Sequence, residues 1–175
     1  MRIFGILGPI IALAGVVFAY LLNRDWWSIT ENAISDLGRV GLPNNWVMNC
    51  GLIIGGLLLL GYGAWRLKKS KNPGWAIYVV GSVFLVLIGV FPEGTEWHYE
   101  VSWGFFVSMF AAMLIISISI LKKSRLGFLG LAVFCVSLPL ALFSLKAFSG
   151  VAVAETVSIL AFLIFQTLTL VVEDV

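Results

Sequence analysis

The side chains best suited to acid–base chemistry lie together in one short stretch of the chain. His98 is the only histidine among the 175 residues, and the carboxylates Glu93, Glu96 and Glu100 lie on either side of it. An imidazole changes its charge near neutral pH, and a neighbouring carboxylate can orient it or exchange a proton with it. We therefore predict that His98 acts as a catalytic acid or base with Glu93 as its partner. The alternative is that His98 is simply a polar residue of a surface loop.

A carboxylate within an apolar segment, Glu155, is the second candidate. It falls about one helical turn inside the last apolar segment of the chain. A carboxylate costs free energy in lipid, so such a residue favours a role in binding a ligand or moving a proton. A salt bridge to Lys146 across a short loop is the simpler explanation, and we expect it. Gln166, deeper in the same segment, is expected to bond to a neighbouring helix.

The longest polar connection, residues 23–45, is expected to form a short helix on the membrane surface. Ser28 and Glu31 have the spacing of a capping box, and Gly38 stands where such a helix would end. Two tryptophans precede it, and its apolar and polar residues fall on separate stripes. The pattern predicts an interfacial helix near 29–37.

Polar side chains on and after this helix complete the predicted site. Asp36 is a further catalytic candidate, because its carboxylate would orient His98. Arg39 lies on the same polar stripe and could hold an anionic head group. The residues that we predict to contact a substrate are Ser35, Arg39, Asn49 and Glu155.

Six apolar stretches, each close to the length needed to cross a bilayer, must position these residues. The sequence is 61% hydrophobic and only 11% charged, with a mean hydropathy of +1.05. An ordinary soluble domain carries about 25% charged residues, so lipid is expected to be the solvent of this chain. We predict an all-α fold, a polytopic membrane bundle of six transmembrane helices with a short interfacial helix after the first. The predicted single transmembrane domain covers residues 1–175, with helices near 3–22, 46–66, 75–92, 101–121, 126–145 and 152–172.

The distribution of basic residues predicts the orientation of the bundle. Of the 11 lysines and arginines, most fall at one end of the predicted spans. Cytoplasmic loops carry an excess of Lys and Arg, so this end is expected to face the cytoplasm, together with the N-terminus and the C-terminus. The polar candidates then lie on the extracytoplasmic side of the cell membrane. The basic residues predicted on that side are Arg24, Arg39 and Lys146.

Two short segments carry a resemblance to a known family. The segment Ile34–Gly38, an asparagine near the start of the second helix, and Phe91, Pro92 and Glu93 followed by His98 resemble an uncharacterised prokaryotic family. It is a domain-of-unknown-function family of six-helix membrane proteins, loosely similar to the Frag1/DRAM/Sfk1 membrane proteins. The resemblance implies lipid handling through those distant relatives and assigns no activity. The positions that match its pattern are Ser35, Asp36, Gly38, Pro92, Glu93 and His98.

These observations predict an integral membrane protein that processes or binds a lipid or lipid head group at the extracytoplasmic leaflet. A transporter of a small solute or proton, or a structural membrane subunit, are the alternatives, and the sequence leaves open whether the protein is an enzyme. Membrane lipid is the expected partner, together with a small-molecule or lipid ligand. The small net charge of +2 implies no nucleic-acid partner. With one histidine and no paired cysteine motif, we expect no metal and no cofactor, and the sequence gives no indication of oligomeric state.

Overall fold

The computed structural model describes residues 1–172 of the chain, and long helices make up most of that part. Each of the six long helices is apolar and long enough to cross a membrane. The prediction of an all-α bundle with six membrane-spanning helices is confirmed. In chain order the helices are α1 (Arg2–Asn23), α2 (Asn45–Ser70), α3 (Pro73–Val90), α4 (His98–Leu121), α5 (Leu126–Ala147) and α6 (Ala152–Val171).

The helices have lengths that suit a bilayer. They contain 18 to 26 residues, which correspond to about 27 to 39 Å at 1.5 Å per residue, against a hydrocarbon core of about 30 Å. In the 18-residue apolar window of α2 and of α4, 50% of the residues are buried inside the protein, against 22% in α1 and in α5. Consequently α1 and α5 present most of their surface to the surrounding lipid.

Glycines bring α1 and α2 into close contact. A Cβ atom added to Gly51 would lie 2.8 Å from the Cα atom of Gly15, and one added to Gly55 would lie 2.6 Å from the carbonyl oxygen of Gly8. Small residues at such positions let two helix backbones approach each other in lipid. The two glycines of α2, spaced four residues apart, are therefore used for packing inside the bundle.

The start of α1 and the end of α6 share one end of the bundle, which we call the terminal end. The guanidinium of Arg2 donates a hydrogen bond to the carbonyl of Leu170, which joins the first turn of α1 to the last turn of α6. The connections after α2 and α4 lie at this end. The connections after α1, α3 and α5 lie at the opposite end, which we call the cavity end.

A short helix follows α1 at the cavity end, but it is shorter and begins later than the predicted range 29–37. The structure shows a 3-10 helix over Ile34–Gly38. The carboxylate that caps it belongs to Asp36, which accepts a hydrogen bond from the backbone N–H of Ala33 at 2.9 Å. The expected capping residues, Ser28 and Glu31, form a separate turn before it, in which the N–H of Glu31 bonds to the carbonyl of Ser28.

Candidate functional site

Three connections form one continuous layer across the cavity end. The segment after α1 bonds to the α5–α6 connection through the N–H of Gly150, which donates to the carbonyl of Thr30, and the N–H of Ala152, which donates to that of Asn32. It also bonds to the α3–α4 connection through the N–H of Val40, which donates to the carbonyl of Glu93. These backbone bonds hold the predicted polar residues in fixed positions over the helices.

His98 is held in one orientation by the backbone. It is the first residue of α4 and is only 7% exposed. Its Nδ1 atom lies 2.8 Å from the carbonyl oxygen of Phe91. A carbonyl can only accept a hydrogen bond, so Nδ1 must carry a hydrogen. This contact leaves Nε2 as the atom that is available for chemistry.

The Nε2 atom of His98 faces the carboxylate of Glu93. It lies 3.1 Å from Oε2 of Glu93. A neutral imidazole with its hydrogen on Nδ1 has a lone pair at Nε2, and two acceptors cannot form a hydrogen bond. A hydrogen bond at this contact therefore requires one proton, either as imidazolium beside carboxylate or as imidazole beside carboxylic acid. A pair of this kind can deliver or take up a proton at a ligand.

The hydroxyl of Ser102 is directed at the same imidazole. It lies 3.3 Å from Nε2 of His98, one helical turn earlier. A Ser or Thr hydroxyl in a helix commonly donates to the backbone carbonyl four residues before it. Ser102 is directed at a side chain instead. The hydroxyls that make the common backbone bond belong to Ser82, Ser108, Ser119, Ser144, Ser158 and Thr167.

Glu155 is engaged by the short helix and not by a lysine. Its Oε2 atom accepts a hydrogen bond of 2.6 Å from the N–H of Ile34, one of the N–H groups that the start of a helix leaves without an internal partner. The expected salt bridge to Lys146 is wrong, because Glu155 forms no ion pair with Lys146 within the described residues 1–172. The Glu155 carboxylate lies within electrostatic range of Asp36 and Glu93.

The predicted site residues separate into two groups. Ser35, whose hydroxyl donates to Oε2 of Glu93 at 3.4 Å, joins Glu93, His98 and Glu155 around one cavity. The other three do not line it. Asp36 caps the 3-10 helix, the amide of Asn49 donates to the carbonyl of Gly38 at 2.9 Å, and the guanidinium of Arg39 lies 5.4 Å from the ring centre of Trp26.

The cavity has a volume of about 730 Å³ and lies between α4, α5 and α6. Its polar end is formed by Ser35, Glu93, His98, Ser102 and Glu155. Below them its walls are apolar, with Phe106, Phe110 and Leu114 on α4 and Phe134, Leu138 and Ala141 on α5.

The depth and opening of this cavity suit a molecule that comes from the membrane. From Ser102 to Leu114 the wall on α4 runs over about 18 Å, at 1.5 Å per residue. That is close to one leaflet, since the hydrocarbon core is about 30 Å thick. Two lining side chains, Val107 at 60% and Leu142 at 49%, are strongly exposed, so the cavity opens sideways towards lipid.

Ser102 and the aromatic wall were not among the predicted site residues. The signal that would have found them is a step of four residues on α4: His98, Ser102, Phe106 and Phe110 follow one another on one helix face. A polar residue at the membrane surface, continued by aromatic rings on the same face, indicates a cavity with a polar mouth.

Gln166 lies apart from this site. Its amide donates to the carbonyl of Gly5 at 2.9 Å and accepts from the hydroxyl of Tyr78 at 2.7 Å, as expected for a bond between helices. The space beside it is about 90 Å³ and is otherwise lined mainly by apolar side chains. Within residues 1–172, no group of three or more His, Cys, Asp or Glu side chains is arranged to hold a metal ion.

Comparison with known proteins supports the family and nothing finer. The model of a family described as protein of unknown function, DUF998, matches residues 6–172. No curated protein and no solved structure matches the chain. The resemblance to an uncharacterised membrane family is confirmed, and the similarity to Frag1/DRAM/Sfk1 proteins stays a prediction.

Proposed function

Because the chain belongs to the DUF998 family of unknown function, we propose its function from its cavity: the protein binds an amphiphile taken from the extracytoplasmic leaflet of the cell membrane. The apolar chain lies between α4 and α5. The head group lies against the polar end of the cavity, where Ser35, Glu93, His98 and Glu155 offer hydrogen-bonding groups.

One observation supports this proposal most strongly: an apolar groove about as deep as one leaflet ends in a small cluster of polar side chains. Ligand cavities in proteins are mostly apolar, with a few polar groups that fix the orientation of the ligand. The exposed rim at Val107 and Leu142 provides a path for a chain that arrives from the bilayer without crossing water. A soluble ligand would gain nothing from an opening that faces lipid.

The orientation follows from the positive charges at the terminal end. The connections after α2 and α4 contain Lys71, Lys122, Lys123 and Arg125. An excess of Lys and Arg marks the cytoplasmic side of a membrane protein. The proposal therefore places the terminal end in the cytoplasm and the cavity end at the extracytoplasmic surface.

A second candidate function, chemical processing of the head group, is favoured by the contacts of His98. Its Nε2 atom lies within hydrogen-bond distance of Glu93 and faces the hydroxyl of Ser102. In a hydrolysis that starts from imidazolium beside carboxylate, Glu93 would take a proton from the attacking water and His98 would give its proton to the leaving oxygen. The pair would then be imidazole beside carboxylic acid, and transfer of the proton from Glu93 to Nε2 would restore the starting form.

The transporter alternative has weaker support. It would need a polar path that continues from Glu155 towards Gln166. The Gln166 amide instead bonds to α1 and α3, beside a small apolar space. The groove below Glu155 is also lined by aromatic and aliphatic side chains, which suit an acyl chain better than an ion or a hydrated solute.

Blocking the groove tests the proposed binding. Ala141 is 6% exposed and lines the cavity, so Ala141→Phe should fill the space between α4 and α5. With a photoactivatable monoacylglycerol in reconstituted membranes, we expect labelling of α4 and α5 to fall by about tenfold. Mass spectrometry of the labelled peptides measures the effect.

The matched control is Ala132→Phe, which adds the same ring to the lipid-exposed surface of α5. It should leave labelling unchanged. Ala111→Phe blocks the groove from the α4 side and should reproduce the loss if Ala141→Phe disturbs folding. Equal labelling of the wild type and both groove variants would contradict the proposal.

A further inference from the structure

The charged groups that line the cavity are acidic, apart from the single imidazole. Within residues 1–172, Glu93 and Glu155 are the carboxylates of its wall, and that wall includes no lysine or arginine side chain. Arg39, which the sequence suggested as a contact for an anionic head group, is exposed and lies over the ring of Trp26. The groove therefore ends in negative charge.

We propose that the cavity selects an amphiphile with a single apolar chain and a cationic amine head group. This inference rests on the proposed function. The charge balance of the polar end supports a cation. A hydrogen bond between Glu93 and His98, whose atoms Oε2 and Nε2 lie 3.1 Å apart, needs one proton, and with that proton the pair carries no net charge in either arrangement. Glu155 remains as the carboxylate that has no cationic partner among the residues described.

Glu155 also has a free acceptor site. Its Oε2 atom takes the N–H of Ile34, and among residues 1–172 the other carboxylate oxygen receives no hydrogen bond. A carboxylate has about four acceptor positions, and Glu155 belongs to the cavity wall. An ammonium group can donate to this oxygen and neutralise the charge, whereas a phosphate or carboxylate head group would meet repulsion.

Aromatic rings at the mouth add to the same preference. Tyr99 and Trp103 lie edge to face with ring centres 6.1 Å apart, and both line the cavity together with Phe106. The face of an aromatic ring attracts a cation, most strongly when the ring is that of tryptophan. Carboxylate and aromatic groups at one mouth form a suitable surface for a primary or quaternary amine above an apolar chain.

The test compares three probes with the same chain and different head groups: dodecylamine, dodecanol and dodecanoate. Binding to the full-length protein in nanodiscs is measured by displacement of a fluorescent fatty probe. We expect dodecylamine to bind about tenfold more tightly than dodecanol, which is the scale of one charge-assisted hydrogen bond. Dodecanoate should bind most weakly.

Glu155→Gln should abolish the preference for the amine over dodecanol, because the amide keeps an oxygen for the N–H of Ile34 but carries no negative charge. The matched control, Glu100→Gln, changes an exposed carboxylate outside the cavity wall and should retain the preference. Dodecanol binding by each variant reports that its groove is folded.

The outcomes separate the two proposals. If all three probes bind equally well, the cationic preference is wrong while the amphiphile site stands. If Glu155→Gln keeps the full preference for the amine, the assignment to its carboxylate is wrong. If none of the probes displaces the fluorescent chain, the proposed function itself fails, and the preference fails with it.

Discussion

Buried polar side chains at the terminal end contact one another and the ends of helices, whereas those at the cavity end line an open space. At the terminal end, Arg66 is 2% exposed and donates to the carbonyls of Thr169 and Val172 at 2.7 and 3.0 Å. Its guanidinium also lies 4.5 Å from the ring centre of Trp75, which is fully buried. The last carbonyls of α6, which a helix leaves without internal partners, are thereby satisfied.

At the cavity end the corresponding groups face a volume large enough for a ligand. Glu93 and Ser102 both contact His98, yet all three side chains also belong to the cavity wall. Burying a polar group in a membrane protein is unfavourable in free energy unless the group has a partner. Polar groups that contact only protein stabilise the fold. Polar groups that line a cavity indicate a function. The comparison therefore assigns structure to one end and chemistry to the other.

Arg66→Ala should give the largest effect on stability. The change removes the charged donor from the carbonyls of Thr169 and Val172 and opens a void beside Trp75, so we expect the free energy of unfolding to fall by about 3 kcal/mol. Thermal unfolding in detergent measures it. Arg24→Ala, at an exposed position, is the control and should change stability by less than about 0.5 kcal/mol. A stable Arg66→Ala protein would remove the contrast between the two ends.

His98→Ala should show the opposite profile. The variant loses a few polar contacts at the cavity, so the free energy of unfolding should fall by about 1 kcal/mol relative to the wild type. If the protein processes its ligand, the rate should fall at least about a hundredfold, which is the usual contribution of an acid–base group. Cells that carry the variant would then accumulate the unprocessed amphiphile, which comparative lipid mass spectrometry detects.

The control for this experiment is Glu96→Ala, which removes an exposed carboxylate from the same connection. It should leave the lipid profile as in the wild type. Identical lipid profiles for His98→Ala and the wild type would contradict processing, and binding of the amphiphile alone would remain as the proposed function.

The sequence predicted the spans well because lipid imposes length and composition directly. Arg66 and Trp75 show where that reasoning stops, since the predicted spans 46–66 and 75–92 place them at the ends of helices. The structure extends α2 to Ser70 and buries both residues, with the Arg66 guanidinium bonded to the carbonyl of Thr169 on α6. Composition reports that a segment is apolar, but only the packing of α2, α3 and α6 decides which of its polar residues face inwards.

The candidate site was predictable in part for a related reason. Glu93 and His98 are near each other in the chain, so their contact followed from local spacing. The positions of Ser35 and Glu155 depend on how the segment after α1 lies across α6, which no local pattern specifies. Asp36 shares a stripe with Ser35 on an ideal helix, but the chain forms a 3-10 helix over Ile34–Gly38, and its own cap takes up the Asp36 carboxylate.

Asp36→Asn should give the smallest effect on stability. It tests whether the polar residues of the cavity end separate into a group that lines the cavity and a group that does not. The Asp36 carboxylate accepts from the N–H of Ala33 and does not line the cavity. An asparagine keeps the accepting oxygen and loses only the charge, so we expect the free energy of unfolding to fall by about 0.5 kcal/mol. Labelling by the photoactivatable monoacylglycerol should stay at the wild-type level. A loss of labelling as large as that of Ala141→Phe would show that Asp36 acts at the ligand and would join the two groups of polar residues into one site.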